Sequence, residues 1–160
     1  MGARMATNLI KKGETLRIYD VLPENSQTVQ GAQICNSPEE AVKDANVIIT
    51  MLPNGDIVKQ AILGEKGILK SATKGSLLID CSTIQPQVAQ ELSKTVKENG
   101  YNFLDAPVSG GVTGAQAGTL TFMVGGDKQV LKTVEPVLLK MGANIHHCGN
   151  PGAGQIAKLC

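Results

Sequence analysis

Residues 46–52, Asn46-Val47-Ile48-Ile49-Thr50-Met51-Leu52, are apolar at nearly every position. A strand that buries only one face alternates apolar and polar residues. An unbroken apolar run instead marks a strand covered on both faces, as in a parallel sheet between two helical layers. Residues 76–80 (SLLID) repeat the pattern, and shorter strands are expected at 16–20, 32–35, 101–105, 120–124 and 144–147. Helical signals alternate with them. Met1, Met5 and Leu9, with Ala6 and Ile10, form an apolar stripe over residues 1–12, and Gly13 after Lys11-Lys12 is a helix stop. Ser37-Pro38-Glu39-Glu40 opens another helix with an N-cap, a proline at the first position and a capping-box glutamate. Further helices are expected near 24–30, over 56–63, 86–99 and 127–141, and from Pro151 onward. Strands alternating with helices predict an α/β domain on a mainly parallel sheet.

Composition agrees. The chain has 160 residues, 42% of them apolar, with two Phe, two Tyr and no Trp, so its core must be mostly aliphatic. A net charge of +1 and no long basic run give no reason to expect nucleic acid or an anionic membrane as partner. No stretch approaches the ~20 apolar residues of a membrane span, and no signal peptide is evident. Cys35, Cys81, Cys148 and Cys160 are scattered, with no CxxC, which predicts reduced thiols in an intracellular chain and no metal site. The adjacent His146 and His147 would point to opposite faces of a strand and are read as structural.

Gly2 opens the first helix, where free N–H groups and the helix dipole favour the pyrophosphate of a dinucleotide. Asp20 ends the next strand, 18 residues later, where a carboxylate accepts both hydroxyls of an adenine ribose and repels a 2′-phosphate. The pair predicts NAD rather than NADP; the alternative for Asp20 is a strand-end aspartate entering a turn. Leu52-Pro53 and Thr83 end strands at the carboxyl edge, where open α/β sheets bind ligands. Core packing for Leu52 and strand termination for Pro53 are the competing readings. Ser109-Gly110-Gly111 offers backbone N–H donors, close backbone approach and a hydroxyl, or is simply a flexible turn.

Three stretches together resemble the 3-hydroxyisobutyrate dehydrogenase family of β-hydroxyacid dehydrogenases: Met1-Gly2 with MATNL behind it, DAPVSGG at 105–111 followed by GTLTFMVGG, and GAGQIAKLC at 152–160. Tartronate semialdehyde reductases, glyoxylate/succinic semialdehyde reductases and, more distantly, 6-phosphogluconate dehydrogenases share parts of the pattern. The resemblance implies a Rossmann-type doubly wound sheet over residues 1–150, lacking its first strand and the GLGxMG turn. Residues 151–160 then begin an interdomain helix, and the family's all-helical C-terminal domain is absent. Met1, Gly2, Tyr19, Asp20, Leu52, Pro53 and Thr83 are implied NAD contacts. Ser109, Gly110 and Gly111 are implied to hold the substrate carboxylate, and Asp105 to support that loop. Lys158 is the implied proton-transfer residue, since taking a hydride from an alcohol carbon requires loss of the hydroxyl proton. An ordinary lysine, near pH ~10.4, is a poor base unless its surroundings lower that value.

The expected activity of the parent protein is NAD-dependent oxidation of 3-hydroxyisobutyrate to methylmalonate semialdehyde. A reductase of tartronate, succinic or glyoxylic semialdehyde, or a non-catalytic cofactor-binding fragment, are the alternatives. The expected parent is a homo-oligomer in the mitochondrial matrix, with a leader before Met1, or otherwise cytoplasmic. In the usual strand order the first strand is central, so its loss predicts a weakened sheet and little turnover from these residues alone.

Overall fold

The computed structural model describes all residues 1–160. Helices α1 (Gly2–Lys11), α2 (Pro23–Gln27), α3 (Pro38–Val42), α4 (Gly55–Leu63), α5 (Ile68–Ser71), α6 (Pro86–Glu98), α7 (Gly111–Ala117), α8 (Lys128–Leu138) and α9 (Ala153–Leu159) alternate with strands β1 (Arg17–Ile18), β2 (Gln33–Ile34), β3 (Val47–Thr50), β4 (Leu77–Asp80), β5 (Asn102–Asp105), β6 (Val108–Ser109), β7 (Leu120–Gly125) and β8 (Gly142–Gly149). A six-stranded sheet runs β3-β4-β5-β7-β6, with β8 also paired to β7, and β1-β2 form a separate pair. Pairs β1-β2, β3-β4, β4-β5 and β7-β8 are parallel, whereas β7 meets β5 and β6 antiparallel.

Two apolar cores lie on opposite faces of the large sheet, and successive residues of one strand divide between them. Leu77 and Ile79 of β4 join Met5, Leu9, Phe122 and Leu138 in the first. Leu78 between them joins Val58, Ile62, Leu92 and Phe103 in the second. Each such side chain removed from water contributes about 1.5–3 kcal/mol. This sandwiching is what the apolar run in β4 requires, and all four of its residues are buried.

The sheet differs from expectation on its other side. Residues 46–52 read as covered on both faces, yet in β3 only Ile48 and Thr50 are buried, while Val47 and Ile49 are half-buried. Val47 and Ile49 face the first core, which covers that side only in part; β3 also hydrogen-bonds to β4 alone, and no strand bridges β3 to β1. The sheet is thus divided between β1 and β3, where the sequence reading left out a central strand.

Side chains cap three of the helices. Ser37 accepts the Glu40 N–H, although the Glu40 carboxylate reaches back to the Asn36 N–H rather than to that of Ser37. Asn54 caps α4 through the Ile57 N–H, and Asp127 caps α8 through Gln129 and Val130. His147 Nε2 lies 2.7 Å from the Gly126 carbonyl oxygen, a structural contact.

Candidate active site

The ends of β3, β4, β5 and β6 and the starts of helices near them carry most of the candidate residues. The N-terminus of α1 abuts the end of β3: a Cβ on Gly2 would stand 3.7 Å from Met51 Cβ. No side chain caps α1 and its first turn holds no acidic residue, so its leading N–H groups face no competing anion. That donor set suits a pyrophosphate. Met1 and Gly2 are half-buried there. Leu52 is tied to the neighbouring strand end by its N–H, which donates to Ser82 Oγ at 2.8 Å, and its side chain packs on the second core; Pro53 is exposed.

Thr83 is exposed on the loop after β4. It lines a cavity of about 450 Å³ with Asn54, Gly55, Pro86 and Leu159, which brings the ends of β3 and β4 to the last turn of α9. Tyr19 and Asp20 lie elsewhere, exposed beyond β1. Asp20 Oδ1 accepts the Leu22 N–H at 2.9 Å, the turn-forming role weighed as the alternative, and bonds to no other candidate residue. A second cavity, beside Asn46, Leu77 and Gln129, contains none of the candidate residues.

Lys158 and the serine–glycine corner do meet. Lys158, half-buried on α9, donates from Nζ to the Val108 carbonyl at 2.5 Å, one residue before Ser109. Ser109, Gly110 and Gly111 are exposed beside it. Gly110, at φ +132°, turns the chain from β6 into α7, a conformation a side chain would strain.

What holds α9 in place is Asp105, fully buried at the end of β5. Its Oδ1 accepts the Gly152 N–H at 2.8 Å and its Oδ2 the Gln155 N–H at 3.3 Å. Asp105 therefore caps the lysine-bearing helix, whereas the sequence reading had it support the 109–111 loop. Burial pushes its carboxyl above the ordinary carboxylate range, opposed by the N–H groups of Gly152 and Gln155. The two glycines of Gly-x-Gly-x-x-x-Lys permit this approach. A Cβ on Gly154 would run into the Met123 carbonyl and stand 2.8 Å from Asp105 Oδ2; one on Gly152 would meet Gln90 Cγ at 2.9 Å. Beside Asp105 in register lies Asp80, also fully buried. Its Oδ1 accepts from Thr50 Oγ1 and the Ser82 N–H, while Oδ2 has no partner; burial raises its pKa as well.

Sequence reasoning missed Asp80, Ser82 and Gln155 as organisers of these loops. Their signal was polarity at strand ends and on a helix with no obvious solvent face, which spacing alone did not separate from surface residues. No group of three or more His, Cys, Asp or Glu side chains is placed to hold a metal ion, and no helix is long and apolar enough to cross a membrane.

The chain is similar over its whole length to known dehydrogenases. The probable mitochondrial 3-hydroxyisobutyrate dehydrogenase of Dictyostelium discoideum is 49% identical over all of this chain and 50% of its own length. The NAD-dependent L-serine dehydrogenase of Pseudomonas aeruginosa is 45% identical over all of this chain and 54% of its own. Among solved structures, Mycobacterium tuberculosis 3-hydroxyisobutyrate dehydrogenase with L-serine superposes with a TM-score of 0.95 at 44% identity, over all of this chain and 55% of that one. The chain thus spans about half the length of the curated relatives it matches. Residues 1–149 match the NAD binding domain of 6-phosphogluconate dehydrogenase, and the chain belongs to that family of NAD-binding domains.

Proposed function

We propose that the protein containing these residues oxidises 3-hydroxyisobutyrate to methylmalonate semialdehyde with NAD⁺. The observation that carries this reading is the Lys158 amine held against the Val108 carbonyl, beside Ser109, Gly110 and Gly111. Such an arrangement sets an amine next to a corner of backbone N–H groups, so that one could exchange a proton with the hydroxyl of a hydroxyacid while the other holds its carboxylate. When bound, NAD⁺ supplies the hydride acceptor. The N–H groups at the start of α1, with Met1 and Gly2, would hold its pyrophosphate, Tyr19 and Asp20 its adenosine end, and Leu52, Pro53 and Thr83 the nicotinamide side. Ser109, Gly110 and Gly111 bind and orient the substrate carboxylate. Lys158 takes the hydroxyl proton during oxidation and returns it during reduction.

Residues 1–150 then act as the cofactor domain, and α9 opens the connection toward a second domain. Mitochondrial location and a homo-oligomeric parent belong to the same proposal; the mitochondrial assignment of the Dictyostelium relative supports the first. A substrate panel with NAD⁺ tests it: 3-hydroxyisobutyrate should give the highest kcat/KM, ahead of L-serine and the tartronate, succinic and glyoxylic semialdehyde couples. Preference for one of the others removes the substrate named here.

A second reading concerns residues 1–160 by themselves, which we regard as a cofactor-binding unit with little turnover. Its support is the sheet divided between β1 and β3, no strand pairing with both. NADH formation by the purified 160-residue chain at the rate of the full-length protein would exclude it.

A further inference from the structure

Gln155 is a long polar side chain that is only 1% exposed, on a helix whose other polar groups reach solvent or the 108–111 corner. A buried amide persists where both of its ends are paired. Here both are paired to one short loop. Nε2 donates to the Ser82 carbonyl at 2.8 Å, and Oε1 accepts the Ile84 N–H at 3.1 Å. Those two peptide groups flank Thr83. The Gln155 backbone N–H is itself held by Asp105 Oδ2, and Lys158 follows three residues later on the same helix. One amide therefore fastens the Thr83 loop to the element that carries Lys158.

We propose that Gln155 is a positioning residue that sets the distance between Thr83 and the Lys158 amine. The inference rests on the roles given to Thr83 and Lys158 above. An amide presents a donor and an acceptor side by side at this reach whatever the pH. Glutamate, once ionised, would turn an oxygen toward the Ser82 carbonyl, and methionine would pair with neither group. Hydride and proton transfer depend steeply on such spacing, a misplacement of about 1 Å lowering rate by about 100-fold.

The test uses the full-length protein and its Gln155→Glu, Gln155→Met and Lys158→Ala variants. Gln155→Met should lower kcat by about 10- to 100-fold, while KM for NAD⁺ and hydroxyacid stays within about threefold, the signature of an interaction made in the transition state; Gln155→Glu should approach the parent where its buried carboxyl is protonated and lose kcat as pH rises. A folded Gln155→Met protein with normal kcat and only a lowered Tm would make the residue purely structural and overturn the proposal. Amide exchange in the unsubstituted, cofactor-free protein decides the matter even if the variants do not fold. Ile84 N–H should be strongly protected and Thr83 N–H, which has no partner, should not. Equal exchange at the two would show that the clamp is open and overturn the proposal. Loss of turnover in Lys158→Ala with normal Gln155 variants sinks this inference alone; normal turnover in Lys158→Ala sinks the functional reading and this inference with it.

Discussion

Replacing Asp105 by alanine should cost the fold more than any surface substitution and loosen α9 in particular. Asp105 is fully buried and satisfies two N–H groups at the start of that helix, those of Gly152 and Gln155. Alanine leaves both buried without an acceptor, at about 1–3 kcal/mol each. Set against this is the relief of no longer burying a carboxylate, whose raised pKa shows that the ionised form is disfavoured inside. The net loss should be about 2–4 kcal/mol, a large share of an ordinary stability of about 5–15 kcal/mol. For a chain of this size that corresponds to roughly 2–4 °C in Tm per kcal/mol. Urea unfolding of the full-length protein and its Asp105→Ala variant at pH 7 measures it. Exchange of the Gly152 and Gln155 amides should rise more than that of Leu78 in the sheet core. A loss under about 1 kcal/mol, or equal deprotection of all three amides, would refute the capping argument.

Gly154→Ala places a methyl against the Met123 carbonyl and Asp105 Oδ2, and should destabilise by about 1–3 kcal/mol or more through overpacking; an unchanged urea midpoint would contradict the close approach of α9 to β7. Asp80 tests the same region by pH. Its raised pKa means that the folded state binds the extra proton, so stability falls as pH rises from the ordinary carboxylate value, about 3.9, through the raised one. Asp80→Asn removes that loss, so the stability of the variant relative to the parent should increase as pH rises above the ordinary carboxylate value. A difference independent of pH would mean that Asp80 is not a buried, pH-sensitive carboxylate.

The parts of this molecule legible in its sequence were those fixed by short-range pattern. The apolar run of β4, the Ser37 cap and the α1 stripe each specify a local structure by residues within a few positions. Elements β6 and α7 were not legible, because Pro107, Gly110, Gly111 and Gly114 mask any helical or strand period. A distant contact supports α7: Asn8 of α1 donates to the Ala115 carbonyl at 2.6 Å. The half-exposure of Val47 and Ile49 was hidden for the opposite reason, since the run reads alike whether or not a neighbour covers it. At the site, a place for Lys158 near the 109–111 corner was an expectation of the resemblance alone, and its amine bonds to the Val108 carbonyl beside that corner. The anchors Asp105 and Gln155 did not, because their partners lie 47 to 73 residues away in sequence.

Steady-state turnover of the full-length Lys158→Ala protein is the most direct test of the account. With 3-hydroxyisobutyrate and NAD⁺, kcat should fall by about 10²- to 10⁴-fold, the usual loss on removing a proton-transfer group, while NAD⁺ still binds and Tm is little changed. A correctly folded variant that keeps the parental kcat would show that the amine beside Val108 does not serve the reaction.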